Sequence, residues 1–179
     1  MIDDMMAFAD KYANNPKYHY KKWNSKDEHT KTCPICSKET KAKYLGWNCI
    51  GFASAICHHG AGMKHIKCSC SGLGNDGWFT DLLAQAKKST KIALNAWQNR
   101  NGTNWTIVWN KGKKIPASML QAGDICLSYS GKTYKHTFVY AGNGYIYDAT
   151  SGKTQISKRK YSNVHTTTKL AFRPTGRKG

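Results

Sequence analysis

The chain has 179 residues, of which 40% are hydrophobic and 12% aromatic, and this composition excludes an intrinsically disordered protein and fits one globular domain. There are 28 Lys and Arg residues against 10 Asp and Glu, giving a net charge of +18. Such a charge favours an anionic partner, namely a nucleic acid, an anionic membrane or an anionic cell-wall polymer. Because the basic residues are spread along the chain, a role in keeping the fold soluble is the competing explanation.

The hydropathy pattern predicts no membrane span, because no apolar run approaches the roughly 20 residues needed to cross a bilayer. The first six residues lack the basic region and apolar core of a signal peptide. We therefore expect a chain that is made in the cytoplasm without a signal peptide. We also expect it to be a monomer. It would act outside the cell only after release.

The first third of the chain predicts one short helix followed by irregular segments. Residues 3–13 form the helix, because apolar side chains recur at helical spacing, at Met5, Met6, Ala9 and Tyr12. Residues 18–23 are aromatic and basic and predict a short strand or a substrate-facing loop. The polar, lysine-rich residues 24–44 predict an irregular insert that contains two cysteines.

A second predicted helix, residues 47–57, has Cys49 near its start. Unpaired N–H groups and a partial positive charge at a helix start favour the thiolate over the thiol. An inert buried thiol is the alternative for Cys49, and Cys57 and Cys126 are expected to be structural. The glycine-rich and cysteine-containing residues 60–77 predict a loop.

The second half of the chain predicts one long helix followed by β-rich segments. A long helix is predicted from Thr80 to Asn101, with an apolar stripe that serves core packing. β-rich runs then follow, at residues 105–109, 124–129, 136–140, 145–149 and 169–173. Helices first and an antiparallel sheet afterwards predict an α+β domain, with a frayed basic tail at 174–179.

Three residues in this order predict acyl-transfer chemistry: Cys49 at a helix start, His136 on a strand and Asp148 on the next strand. The cysteine would attack a carbonyl carbon, the histidine would take or balance its proton, and the acid would orient the imidazole.

The hairpin between His136 and Asp148 must bring their side chains to one face of the sheet. A two-residue loop at Asn143 and Gly144 would place them on opposite faces, because side chains alternate along a strand. We therefore predict a three-residue loop, Gly142-Asn143-Gly144, with a bulge, and expect Phe138 or Tyr140 on the same face.

The sheet half of the chain resembles that of the NlpC/P60 cysteine peptidases. The resemblance rests on a Gly-Asp-aliphatic strand start at 123–125, a histidine-led hairpin with a Gly-Asn-Gly turn at 136–144, and Tyr-Asp-Ala at 147–149. It covers most of residues 45–150, with a gap at the long helix. It identifies Cys49, His136 and Asp148 as the catalytic residues.

The nucleophile segment departs from the family pattern, which is usually Asp-Cys-Ser-Gly, whereas this chain has Asn48-Cys49-Ile50-Gly51. Main-chain N–H groups there can still serve an oxyanion hole, and Asn48 is a candidate contributor. In the family an upstream aromatic segment supports that hole. Tyr18, Tyr20 and Trp23 are similar to it but lie too far from Cys49 along the chain, so Tyr44 competes with Tyr20 for this role.

The resemblance implies a papain-like α+β fold, with residues 1–179 forming one catalytic domain. It also implies an endolysin-like cell-wall hydrolase, a cysteine peptidase or amidase that needs no cofactor for catalysis. The substrate would be a wall peptide of bacterial peptidoglycan or archaeal pseudomurein. Anionic wall polymers would be the partners of the positive charge.

Two cysteine pairs, Cys33-x-x-Cys36 and Cys68-x-Cys70, flank the helix of Cys49. They predict a structural zinc site with four thiolates that ties two irregular loops together. Disulfides and unmodified thiols remain the alternatives. His58 and His65 are further possible metal ligands.

Two other functions are open at this point. A transglutaminase-like enzyme uses the same Cys, His, Asp order, although the Gly123-Asp124 strand start favours NlpC/P60. A basic, zinc-bearing nucleic-acid binder would explain the charge and the first cysteine pair, but it leaves the hairpin unexplained, so nucleic acid is not the expected partner.

Overall fold

The helices precede the main sheet along the chain. The computed structural model describes residues 1–21, 33–67, 78–151, 155–164 and 166–176. Its α-helices are α1 (Ile2–Tyr12), α2 (Cys49–Ala55), α3 (Trp78–Lys88) and α4 (Thr90–Asn101). Helix α2 runs directly into a π-helical turn, Ile56–Gly60. Short 3₁₀ turns lie at Ala117–Met119 and Tyr161–Asn163.

Six antiparallel strands form the main sheet of the described residues, in the order β3-β8-β4-β5-β6-β7. They are β3 (Trp105–Val108), β4 (Ile125–Ser130), β5 (Thr133–Gly142), β6 (Tyr145–Asp148), β7 (Ser157–Lys160) and β8 (Thr167–Pro174). The predicted α+β class, with helices packed on an antiparallel sheet and Cys49 at a helix start, is confirmed.

The two faces of this sheet bury two separate cores, because side chains alternate along each strand. One face packs against the helices and contributes Leu127, Val139, Tyr147 and Phe172 to the larger core. The ring of Phe172 stacks on Trp97 of α4 at 3.9 Å between centroids. The other face carries the smaller core, formed by Cys126, Phe138, Tyr140, Ile146 and Ala171 with the segments that cover them.

A short parallel pair, β1 (Tyr18–Tyr20) and β2 (Leu45–Trp47), lies before α2. Gly46 makes this pairing possible, since a Cβ atom at that position would lie 1.6 Å from the carbonyl oxygen of His19. Tyr20 is paired with Trp47. The insert between the two strands therefore leaves Tyr20 beside the residues that lead into α2.

Three element predictions differ from the structure. Trp47 belongs to β2, and the helix begins only at Cys49. The long helix predicted from Thr80 to Asn101 is two helices separated at Ser89, which has extended backbone angles. Serine side chains compete for backbone hydrogen bonds and so favour helix starts over helix interiors. Strand β7 was not predicted.

The hairpin loop is shorter than predicted. Gly142 pairs with Tyr145, so the turn contains only Asn143 and Gly144, and Asn143 has a positive φ of 51°. The extra residue lies instead within β5 as a bulge between Tyr140 and Gly142. The bulge shifts the register by one and returns His136 and Asp148 to one face, which Phe138 and Tyr140 share.

Several predicted features lie outside the described residues. These are Trp23 with much of the insert, the loop portion that contains Cys68 and Cys70, and the end of the tail, residues 177–179. Among the residues that the structure describes, no helix has the length and apolar character needed to cross a membrane.

Candidate active site

Cys49 is the first residue of α2, and its position is fixed by a helix cap. The side-chain Oδ1 of Asn48 accepts a hydrogen bond from the N–H of Gly51 at 2.8 Å, while Asn48 itself has extended backbone angles. This is the arrangement that favours Asn, Asp, Ser and Thr before a helix. The cap leaves Cys49 half-buried at the start of α2.

His136 and Asp148 form a buried pair on neighbouring strands. The Nε2 atom of His136 lies 2.9 Å from Oδ2 of Asp148, and the two residues are 7% and 1% exposed. The side chain of Cys49 also hydrogen-bonds to His136. Asp148 occupies Nε2, which leaves Nδ1 as the ring atom available to Cys49. The structure thus brings Cys49, His136 and Asp148 into one hydrogen-bonded chain.

Strand β7 supplies two further partners of Asp148. Arg159 donates from Nη2 to Oδ2 at 2.6 Å and from Nε to both carboxylate oxygens at 3.1 Å. Ser157 donates from Oγ to Oδ1 at 2.9 Å. Both carboxylate oxygens are therefore satisfied, so the carboxylate can remain ionised although it is buried.

The environment sets the charges of the pair. Burial opposes ionisation of Asp148, but hydrogen bonds and positive charge from His136 and Arg159 lower its pKa to about 2. Burial likewise opposes protonation of His136, but the hydrogen bonds with Asp148 and Cys49, together with their negative charges, raise its pKa to about 9. The imidazole is thus held as imidazolium at neutral pH, next to the side chain of Cys49.

The two candidate tyrosines lie in different surroundings. Tyr20 is half-buried and paired with Trp47, two residues before Cys49. Tyr44 is 41% exposed, and its ring stacks on His19 at 3.9 Å between centroids. Tyr44 and His19 line a cleft of about 590 Å³ that Arg159 also borders. Tyr20 therefore lies beside the residues that lead into α2, and Tyr44 lies in the wall of the cleft.

A larger cavity of about 890 Å³ lies apart from this constellation. Its lining includes Lys113, Lys114 and Lys160 together with Tyr161, and none of the three predicted catalytic residues. We do not assign the chemistry to it.

A second cluster of reactive side chains lies beyond the far end of α2. Cys33 and Cys36 are both free thiols, and both face Nε2 of His59, at 3.4 and 3.5 Å. Cys36 also lies 3.2 Å from Nε2 of His65, and His58 belongs to the same group of potential metal ligands. Within the described residues, Cys33 and Cys36 therefore contact histidines. Cys68 and Cys70 lie outside the part of the chain that the structure describes.

Arg159, Ser157 and His59 were not identified from the sequence. Strand β7 reads Ser-Lys-Arg-Lys at 157–160 and carries no apolar residue, so nothing in its pattern indicated a strand. The signal for His59 was weak but present, since adjacent histidines at 58 and 59 follow a Cys-x-x-Cys pair.

Comparisons with known proteins find similar solved structures but no matching family model or curated protein. No protein-family model matches the chain, and no curated protein matches it. Among solved structures, it is similar to NlpC1 from Trichomonas vaginalis, with a TM-score of 0.48 and 10% sequence identity over 97% of this chain. It is also similar to NlpC2 from the same organism, with a TM-score of 0.47 and 10% identity over 97% of this chain. The chain spans less than half of those two chains, 44% and 46%.

Proposed function

We propose that this chain is a cysteine peptidase or amidase that hydrolyses amide bonds in cell-wall peptides, as an endolysin does. One observation carries the proposal: His136 contacts both Cys49 and Asp148, and the acid is held by Arg159. A thiol, an imidazole and a carboxylate in this order are the groups that acyl transfer requires.

The reaction follows from the charges of the three groups. Cys49 reacts as a thiolate beside the His136 imidazolium, and its sulfur attacks the carbonyl carbon of the scissile amide. His136 gives its proton to the leaving nitrogen, the C–N bond breaks and a thioester forms. Water then attacks the thioester, with His136 taking its proton, and the released thiolate regains its imidazolium partner.

Asp148 and the groups around Cys49 assist without bonding to the substrate carbon. Asp148 keeps the imidazole in the orientation that directs Nδ1 toward Cys49. The tetrahedral intermediate carries a negative oxygen, which needs hydrogen-bond donors. We assign these donors to the start of α2 with the Asn48 amide, and to the Tyr20 hydroxyl.

The charge of the chain supports a wall substrate. A net charge of +18 attracts anionic polymers over distances of about 10 Å at moderate salt. We propose that the protein acts at the cell wall after release from the cytoplasm, on peptidoglycan or pseudomurein. Catalysis by this mechanism needs no metal, so we assign any zinc bound by the Cys/His cluster a structural role.

The test compares the unmodified chain with Cys49→Ala and with Cys126→Ala, a matched control that changes a buried cysteine of the smaller core. Purified peptidoglycan and pseudomurein walls are incubated with each protein, and released peptides and new amino groups are identified by mass spectrometry. We expect release by the unmodified chain and the control but not by Cys49→Ala. Undiminished release by Cys49→Ala would contradict the proposal, as would tight, salt-sensitive DNA binding without any wall hydrolysis.

A further inference from the structure

We propose that Cys33, Cys36, His59 and His65 together bind one zinc ion, in a structural site that fixes the far end of the helix of Cys49. This inference is independent of the proposed function, because it rests on a different set of side chains. It replaces half of the four-thiolate site expected from the sequence, with histidines in the place of Cys68 and Cys70.

Three distances between the donor atoms match those around one tetrahedral ion. Three sulfur-to-nitrogen distances are 3.4 Å (Cys33 to His59), 3.5 Å (Cys36 to His59) and 3.2 Å (Cys36 to His65). A tetrahedral zinc ion with Zn–S bonds of about 2.3 Å and Zn–N bonds of about 2.0–2.1 Å separates sulfur from nitrogen by about 3.5 Å.

Ordinary hydrogen bonding explains this convergence poorly. Nε2 of His59 faces two sulfur atoms, and the sulfur of Cys36 faces two imidazole nitrogens. A ring nitrogen carries at most one proton, so it cannot donate a well-directed bond to both thiols. A metal ion at the centre satisfies all four atoms, and two thiolates with two imidazoles form a set typical of zinc.

Groups around the donors hold them in the orientation that binding requires. Nδ1 of His65 lies 2.9 Å from Oγ of the fully buried Ser54, which also accepts from the N–H of Ile66 at 2.9 Å. Nε2 of His65 is thereby directed toward Cys36. The indole N–H of Trp47 donates to the sulfur of Cys33 at 3.4 Å. Such outer partners are a regular feature of zinc sites.

His58 forms, with Cys36, His59 and His65, a group whose potential ligand atoms all lie within 4.8 Å of one another and which does not include Cys33. We assign His58 a supporting role and Cys33 the fourth ligand position, because Cys33 contacts His59. Its Nδ1 lies 2.7 Å from the carbonyl oxygen of Met63, and its ring stacks on His65 at 4.0 Å between centroids. A potential ligand atom of His58 also lies within 4.8 Å of the Cys36 sulfur, but the sulfur contacts of 3.2–3.5 Å are made by His59 and His65. His58 therefore provides a matched control for the two histidine ligands.

The site would join three parts of the chain that contain little regular secondary structure. Cys33 and Cys36 lie in a turn within the insert, His59 lies in the π-helical turn, and His65 lies in the segment after it. The π-helical turn is also packed against α1, where Phe8 stacks on His59 at 5.3 Å and a Cβ atom at Gly60 would lie 2.5 Å from Cα of Met5. Zinc here would lock the end of the segment that begins at Cys49.

The proposed role is structural because protein atoms fill all four positions and leave none open for water or substrate. His59 follows Cys49 by ten residues, which corresponds to about 15 Å along a helix. The ion would act on catalysis only through the placement of α2.

The first test is elemental analysis of the purified chain and its variants. We expect one zinc per chain in the unmodified protein, in His58→Ala, in Cys126→Ala and in the double variant C68S/C70S, and less than a tenth of that in Cys36→Ser and His65→Ala. Zinc absent from the unmodified protein after incubation with zinc would overturn the proposal. Loss of zinc in the double variant, or in His58→Ala, would overturn this donor set.

A second measurement on the unmodified chain covers the case in which the ligand variants fail to fold. Cobalt(II) is added to the metal-free protein, and visible and near-ultraviolet spectra are recorded. We expect the strong visible bands of tetrahedral cobalt and a thiolate-to-cobalt charge-transfer band. The weak spectrum of octahedral, oxygen-bound cobalt would overturn the proposal. Cys49→Ala must give the same zinc content, so a failure of wall hydrolysis is distinguished from a failure of the metal site.

Discussion

Arg159 and Asp148 form an ion pair in which Nη2 of the arginine lies 2.6 Å from Oδ2 of the acid, the same oxygen that faces His136 at 2.9 Å. The Asp148 side chain is fully buried, and the Arg159 side chain is 17% exposed. The arginine therefore shares the acid with the imidazole. Its contacts with both carboxylate oxygens position the acid.

Replacing this arginine tests its positioning role. In Arg159→Met the carboxylate keeps His136 and Ser157 but loses a partly buried cation. The loss of stability should be smaller than the roughly 3–5 kcal/mol typical of a buried charge left without any partner, because His136 still pairs with the acid. We expect a lower melting temperature and a kcat for wall-peptide hydrolysis reduced by about 10–100-fold, with little change in KM. Arg159→Lys keeps the charge but not the paired donors. Its melting temperature and kcat should lie between those of the unmodified chain and those of Arg159→Met. A kcat unchanged in Arg159→Met would contradict this role.

The raised pKa of His136 predicts a loss of stability at alkaline pH. The folded chain holds the proton up to about pH 9, whereas an unfolded histidine loses it near pH 6.5. The stabilisation is therefore complete below about pH 6.5 and disappears as the pH rises through about 9. Denaturant titrations at several pH values should show this decline, and His136→Gln should lack it. Wall hydrolysis should fall over the same alkaline range, because it requires the imidazolium.

The lowered pKa of Asp148 gives the opposite dependence at acid pH. Its pKa of about 2 lies below the unfolded value of about 3.9. The stabilisation is therefore present above about pH 4 and is lost as the pH falls through about 2. Thermal unfolding between these values should show a steeper loss of stability for the unmodified chain than for Asp148→Asn. Equal slopes would contradict the assignment.

Asn48 links the cap of α2 to the placement of the thiol. Asn48→Ala removes the acceptor for the N–H of Gly51 and should cost about 1 kcal/mol of stability. Asn48→Asp keeps an acceptor and matches the residue usual in NlpC/P60 proteins, so its stability should be close to that of the unmodified chain. Denaturation curves of the three proteins check this. If Asn48→Ala is as stable as Asn48→Asp, the cap does not hold the helix start.

The two tyrosines are distinguished by kinetics. Tyr20→Phe removes a hydroxyl that we assign to the oxyanion, and loss of one such donor lowers kcat by about 100-fold. Tyr44→Phe removes a hydroxyl from an exposed ring that stacks on His19 and should leave kcat unchanged. Steady-state kinetics on a soluble wall peptide compare the two variants. A larger effect at Tyr44 would reverse the assignment.

Much of the architecture could be predicted from local pattern. Helix α1, the presence of α2 and five strands follow from apolar periodicity and turn residues. The proximity of Cys49, His136 and Asp148 could also be predicted from the sequence, because their order along the chain and the hairpin restrict where the three side chains can lie. The predicted position of the extra hairpin residue was wrong. A bulge within the strand and a three-residue loop both bring His136 and Asp148 to the same face of the sheet, so the alternation of side chains does not distinguish them.

The remainder depends on contacts between distant parts of the chain. Arg159 meets Asp148 only because β7 pairs with β6, and a strand of charged and polar residues has no apolar signature. Tyr20 comes near α2 only through parallel pairing across a long insert. The choice of His59 and His65 over other histidines depends on how the π-helical turn packs against α1.

Strand β7 stands last in the order of the main sheet. The outer edge of such a strand presents backbone N–H and C=O groups on which another chain can add a strand, the first step of edge-to-edge aggregation. Here three consecutive cations, Lys158, Arg159 and Lys160, occupy that strand, and the two lysines are exposed. Two copies meeting through this edge would bring like charges together, so the strand that fixes the buried carboxylate also opposes self-association, and added salt should weaken that protection.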